Sequence, residues 1–203
     1  MFIERNICNP EAKSGWIEVI AGCMFSGKTE ELIRRLKRSE IARQKVAIFK
    51  PAIDNRYHET NVVSHNHAVL PSTAVKTAKD IIALAQPYDV VGIDEAQFFD
   101  NSIVDVANDL ANAGKRVIIA GLDMDFTGKP FGPMPYLLAV AEFVTKVNAV
   151  CVKTGEIATH SFRDEKSGTG QVVVGEKEVY EARSRRAFFD GMKGRSTFRA
   201  DSL

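Results

Sequence analysis

Apolar and polar positions fall into two rhythms along the chain. Runs of apolar residues at 16–21, 45–50, 88–93 and 115–122 read as strands, and their near-continuous character suits burial on both faces. Between them, apolar positions three and four apart read as helices. The first spans 30–43, with Leu32, Ile33, Leu36 and Ile41 as its apolar face. The second, 77–86, opens on a capping box, Thr77-Ala78-Lys79-Asp80, and ends before Pro87. The third, 102–113, opens on Ser102 and Asp105 and stops at Gly114. A short helix over 136–141 and a strand over 142–148 follow. Pro51 ends the second strand, and 62–69 reads as short extended structure. Strands alternating with helices predict an α/β fold with a parallel sheet covered on both faces. After Asn148 the texture changes to short polar extended pieces, 149–163 and 171–181, joined by the loop 164–170. The expected organisation is an arm over 1–14, an α/β domain over 15–148, a small β domain over 149–189 and a tail over 190–203.

The junction between the first strand and helix carries chemistry. Gly22-Cys23-Met24-Phe25-Ser26-Gly27-Lys28-Thr29 fits G-x-x-x-x-G-K-[ST], the phosphate-cradling P-loop. Its glycines let main-chain N–H groups close on phosphate oxygens, and the following helix adds unpaired N–H groups and its positive dipole end. Lys28 can reach the β- and γ-phosphates, and the Thr29 hydroxyl can hold Mg²⁺. A second landmark lies where the strand 88–93 ends in Asp94-Glu95. An aspartate there can hold Mg²⁺, and its glutamate neighbour can take a proton from whatever attacks the γ-phosphate. Acids also often simply end a strand; the upstream P-loop is what favours a shared site.

Other residues leave two readings open. Arg56, after the second strand, can clamp a phosphate with Asp54 orienting it, or serve ordinary loop chemistry. The basic set Arg34, Arg35, Lys37, Arg38 and Arg43 reads as a solvated helix face rather than a phosphate patch. His65 and His67 point the same way on a strand, yet two histidines alone make a weak metal site. The glycine- and proline-rich loop 123–133 carries Phe126 and Phe131, which either pack within the loop or offer faces to a planar ring.

Composition narrows the classes. The chain has 203 residues, a net charge of +1 and three cysteines far apart. One domain with a small appendage fits that length. The balanced charge leaves no broad footprint for nucleic acid or an anionic membrane, and no apolar run has the length of a membrane span. Cysteine usage and an N-terminus without a leader pattern fit a reducing cytoplasm. A kinase, a motor-type ATPase and a regulatory nucleotide-binding module all use a P-loop. The short chain and near-neutral charge weigh against the motor, and the second carboxylate, Glu95, against mere binding.

The residues resemble one family, the cellular-type thymidine kinases. The matching pieces are the P-loop with its Met-Phe-Ser, Lys50 to Tyr57, Asp94-Glu95-Ala96-Gln97-Phe98-Phe99, Gly121-Leu122-Asp123 with Phe126, Lys129 to Gly132, Ala149-Val150-Cys151 and Tyr180-Glu181-Ala182. The resemblance runs from about residue 15 to 187. It implies a RecA-like domain, a small domain whose lasso closes over the nucleoside, and transfer of the ATP γ-phosphate to the 5′-hydroxyl of thymidine, with deoxyuridine as a second acceptor. It implies Glu95 as base, and Gly22 to Thr29, Arg56 and Asp94 to Gln97 as the ATP site. Thr29 and Asp94 are implied for Mg²⁺, and Met24, Leu122, Phe126, Phe131, Val172, Val174 and Tyr180 for the nucleoside. It also implies a homotetramer inhibited by thymidine triphosphate, with no membrane or nucleic-acid partner. One feature departs from the family. Its zinc site commonly uses two C-x-x-C-like pairs, sometimes ending in histidine. Here these read Cys151-Val152-Lys153-Thr154 and Ser184-Arg185-Arg186-Ala187. Cys151 is the only remaining ligand-like residue, so no zinc is expected, and Cys151 is expected to be a plain buried thiol.

Overall fold

The structure, a computed structural model, describes residues 15–52, 61–63, 69–163 and 179–193. Six strands form the central sheet: β1 (Trp16–Ala21), β2 (Val46–Pro51), β5 (Thr73–Val75), β6 (Val90–Ile93), β7 (Arg116–Gly121) and β8 (Phe143–Lys146). Their order is β5-β2-β6-β7-β1-β8, and every pairing is parallel. The predicted α/β class is therefore the observed one. β3 (Asn61–Val63) and β4 (Val69–Pro71) pair antiparallel beside it.

Helices cover both faces, as a parallel sheet requires. On one face α1 (Lys28–Ile41) sets Leu32, Ile33 and Leu36 against Ile20, Ile48, Val90 and Ile118. On the other lie α2 (Asp80–Leu84), α3 (Ser102–Asn112) and α4 (Met134–Val140), with Ile81, Ile103, Leu110, Met134 and Leu137 over Val19, Val91 and Ile119. The predicted capping box is half formed: the Thr77 N–H donates to the Asp80 carboxylate at 2.9 Å.

Three expectations need correction. Ile41, counted on the apolar face of α1, is 83% exposed because the helix ends there. Arg35, read as part of a solvated face, is buried: its guanidinium donates to Glu18 at 2.8 Å, Glu31 at 2.8 Å and Thr145 at 2.9 Å. The small domain is not purely β. Beyond β9 (Ala149–Val150), β10 (Ile157–Ala158), β11 (His160–Arg163) and β12 (Tyr180–Arg183), it ends in α5 (Arg185–Met192). Ser184 caps α5, its hydroxyl accepting from the Ala187 N–H, and Phe188 and Met192, four apart, bury the inner face with Phe162. A serine cap and apolar residues four apart are signals that the sequence carries for this helix. α5 also carries order into residues assigned to the tail.

Glu18 sits at the centre of a buried ionic group. Its carboxylate accepts from Arg35 at 2.8 Å, from Arg116 at 2.6 Å and from the Trp16 indole at 2.8 Å. Arg116 also reaches the Ser39 hydroxyl at 3.1 Å, so β1, β7 and α1 are fastened at one point. Removing the anion leaves two guanidinium groups without their buried partner. Glu18→Ala should cost about 3–5 kcal/mol of stability, measured by denaturant unfolding; a loss under about 1 kcal/mol would show that the group contributes little.

Candidate active site

Parallel strands bring their carboxyl ends to one edge of the sheet, where ligands of open α/β folds sit. β1 runs there into the loop 22–27, β6 into Asp94-Glu95 and β7 into Leu122-Asp123. Two glycines are required in the loop. A Cβ on Gly22 would lie 2.1 Å from the Val147 carbonyl, and Gly27 has φ +82° immediately before α1. No side chain caps the start of α1. The helix's first N–H groups and its dipole therefore remain available to an anion.

Side chains close the site from three sides. Lys28 folds onto the loop, donating to the Cys23 carbonyl at 2.8 Å, and Ser26 donates to the same carbonyl at 2.7 Å. Burial lowers the Lys28 pKa against the opposing pull of Glu95, Cys23, Asp94 and Asp123. The Thr29 hydroxyl donates to Asp94 Oδ2 at 3.2 Å. Asp94 is buried, and burial, then the charge of Glu95, raises its carboxyl to about 7. A hydroxyl and a carboxylate converging in this way are hard oxygen donors of the kind Mg²⁺ takes, and a cation there would relieve the crowding of negative charge. The fit to the predicted Mg²⁺ pair, Thr29 and Asp94, is therefore good.

Glu95 differs from its neighbour. It is partly exposed and has φ 52°, an uncommon conformation for a non-glycine residue. Its N–H donates to Asp94 Oδ1 at 3.0 Å. Gln97, 3% exposed, donates its amide to the Glu95 carboxylate, while its own oxygen accepts from the Leu122 N–H at 2.9 Å. The Leu122 N–H can only donate, so the Gln97 NH₂ must face Glu95. That donor holds the Glu95 carboxylate in a fixed orientation.

The remaining predicted residues are placed as follows. Ala96 is fully buried in the core and opens the 3-10 turn Ala96–Phe98. Cys23 is buried, its thiol donating to the Ala158 carbonyl at 3.3 Å, and the Met24 N–H donates to the Ser161 hydroxyl at 3.0 Å. The loop thus docks on the small domain through two contacts that the sequence did not announce. Phe25 is partly buried with φ 64°. Leu122 and Phe131 are each 9% exposed, and Phe131 packs edge-on against Phe98 at 5.8 Å. Phe126 lies under the Arg163 guanidinium, 3.7 Å from ring centre to charge. Tyr180 opens β12. Arg56, Asp54, His65, His67, Val172 and Val174 lie outside the described residues.

The family model described as thymidine kinase matches residues 15–188. The chain belongs to the thymidine kinase family. Among its relatives, the thymidine kinase of Rhodothermus sp. (strain ITI 518) is 59% identical over 176 residues, covering 86% of this chain and 81% of that protein. That of Bacteroides fragilis (strain YCH46) is 57% identical over 176 residues, covering 87% and 88%. That of Porphyromonas gingivalis (strain W83) is 57% identical over 186 residues, covering 92% and 90%.

The family's metal-ligand positions remain close together here with other chemistry. Cys151 is a buried free thiol. Burial pushes its pKa up, yet the Thr154 hydroxyl and the N–H groups of Ser184, Lys153 and Thr154 outweigh it and bring the thiol to about 6. Thr154 Oγ1 and Ser184 Oγ stand 3.4 Å apart, and Ala187 packs with Cys151, Ala158 and Ala182. One sulfur, two hydroxyls and a methyl do not fit a closed zinc site. Among the described residues no cluster of three or more His, Cys, Asp and Glu side chains is arranged for a metal, and no helix is long and apolar enough to cross a membrane.

Gln97→Leu should lower kcat roughly 10-fold or more while nucleotide binding is retained, because the Glu95 carboxylate loses its buried donor. A kcat equal to the parent's would remove Gln97 from any role in holding Glu95.

Proposed function

We propose that this chain transfers the γ-phosphate of ATP to the 5′-hydroxyl of thymidine, giving thymidine monophosphate in nucleoside salvage, and that Glu95 accepts the hydroxyl proton. The observation that carries this is the split between two adjacent carboxylates. Asp94 is buried on Thr29, while Glu95 is partly exposed, accepts from Gln97 and lies near enough to Lys28 for their charges to interact. One acid suits a metal and the other a proton, as phosphoryl transfer to an alcohol needs.

The loop 22–27 and the start of α1 bind the triphosphate through main-chain N–H groups. Lys28 swings from the Cys23 carbonyl to the phosphates, placing its charge where negative charge builds up. Thr29 and Asp94 would hold Mg²⁺, which supplies charge neutralisation across the phosphates when bound. Met24, Leu122, Phe126 and Phe131 supply the apolar walls for the base, with Arg163 fixing the ring of Phe126. Val172, Val174 and Tyr180 are assigned to the lasso on resemblance alone, and Arg56 to the phosphates.

A nucleoside panel with labelled ATP tests the reading. Label should pass to thymidine and deoxyuridine, with slow hydrolysis in water or with single-stranded DNA. Hydrolysis stimulated by DNA, with no labelled nucleoside, would point to a motor instead. Glu95→Gln should cut turnover roughly 10²–10⁴-fold with ATP binding intact.

The zinc-free small domain, a homotetramer, inhibition by thymidine triphosphate and a cytoplasmic location complete the proposal. Phe143 and Val144, 37% and 50% exposed on the edge strand β8, support association. One purified sample checks the first three. Light scattering should give a tetramer, thymidine triphosphate should inhibit, and metal analysis should find well under one zinc per chain. A full equivalent of zinc would overturn the metal-free reading.

A further inference from the structure

Asp123 leaves the carboxyl end of β7, between the strand that carries the phosphate loop and the strand that carries Asp94 and Glu95. It is 6% exposed, both carboxylate oxygens are buried, and among the described residues neither accepts from a main-chain N–H, a hydroxyl or an amide. Among the described residues its one ion pair is with Lys146, whose ammonium stands 2.8 Å from Oδ2. Lys146 ends β8 in register with Ala21, the residue before the loop. Because β1 lies between β7 and β8, the pair spans the point where the loop begins.

The two partners are unequal. The Lys146 side chain is 55% exposed and that of Asp123 is 5% exposed. The cation comes from the solvent side, whereas the anion is sealed in. The sealed anion also acts on the Lys28 ammonium, beside Glu95 and Asp94. Three carboxylates thus compete for the lysine that must turn to the phosphates, and a polyanion must enter the same space. An uncompensated Asp123 would hold Lys28 back and repel the incoming phosphates.

We propose that Lys146 is a positioning residue for phosphoryl transfer: by neutralising the buried Asp123 it leaves Lys28 free to engage the triphosphate. The role is electrostatic, and it rests on the assignment of loop 22–29 as the phosphate site. It predicts an unusual rescue, in which deleting the second charge restores what deleting the first removed.

Lys146→Met, Lys146→Arg, Asp123→Asn and the double variant Asp123→Asn/Lys146→Met test it. kcat and KM for ATP and for thymidine should be measured on each, with thermal unfolding alongside. Lys146→Met should lower kcat/KM for ATP roughly 10- to 100-fold and change KM for thymidine little. Lys146→Arg should retain most of the activity. The double variant should recover most of what Lys146→Met loses. A double variant as poor as Lys146→Met, or parental activity in Lys146→Met, would overturn the proposal. If Lys146→Met does not fold, the double variant decides: active supports the proposal and inactive overturns it. Binding of a fluorescent ATP analogue to the parent and to Lys28→Met tests the phosphate site separately. Undiminished binding by Lys28→Met would sink that site assignment, whatever the Lys146 series gives.

Discussion

A carboxylate sealed between sheet and helix, that of Glu18, fixes the geometry from which the site follows. The phosphate loop runs directly from the strand before it into the helix after it, so their placement sets where it lies. Glu18 ties that strand to Arg35 of the helix and to Arg116 of the next strand, while Arg35 reaches Thr145 on β8. Three strands and one helix therefore hold a common register just below the loop. An apolar core alone would let the helix slide by fractions of an ångström, and phosphate-binding N–H groups tolerate little of that.

The chemistry above this anchor is a problem in crowded negative charge. Asp94, Glu95 and Asp123 all act on the single ammonium of Lys28. The protein assigns each carboxylate a different neighbour: a hydroxyl for Asp94, a carboxamide for Glu95 and an ammonium for Asp123. Those neighbours separate the roles of groups that are chemically alike. Environment rather than residue type distinguishes the three acids.

The small domain is continuous with the site. Ala158 and Ser161 accept from the loop at Cys23 and Met24, Arg163 covers Phe126, and the Phe188 ring lies 3.1 Å from where a Cβ on Gly128 would sit. The phosphate loop and the aromatic loop after β7 thus rest on one support. That support is built of hydroxyls, alanines and the aromatic cluster of α5. His160 stacks on Phe188 at 4.4 Å, and burial, then the charge of Arg185, lowers its pKa to about 4, keeping it neutral inside that cluster.

Much of this was legible in the residue order. Runs suited to burial on both faces, glycines at fixed offsets and a lysine-threonine pair at a helix start determine the α/β class and the phosphate loop, because these depend on local backbone and periodicity. Asp94-Glu95 at a strand end follows from the same local logic. Other facts were hidden because they are contacts between residues far apart in the chain. Nothing near Arg35 distinguishes it from its solvated neighbours; only the placement of Glu18 beneath it does. Nothing near Gln97 says that it spans Glu95 and Leu122, or near Lys146 that it answers Asp123. The sequence by itself determined which elements form and which chemical groups are carried. Tertiary structure alone decided which like charges share a space and which partner answers each, because desolvation and Coulomb energy depend on distances that no local pattern encodes.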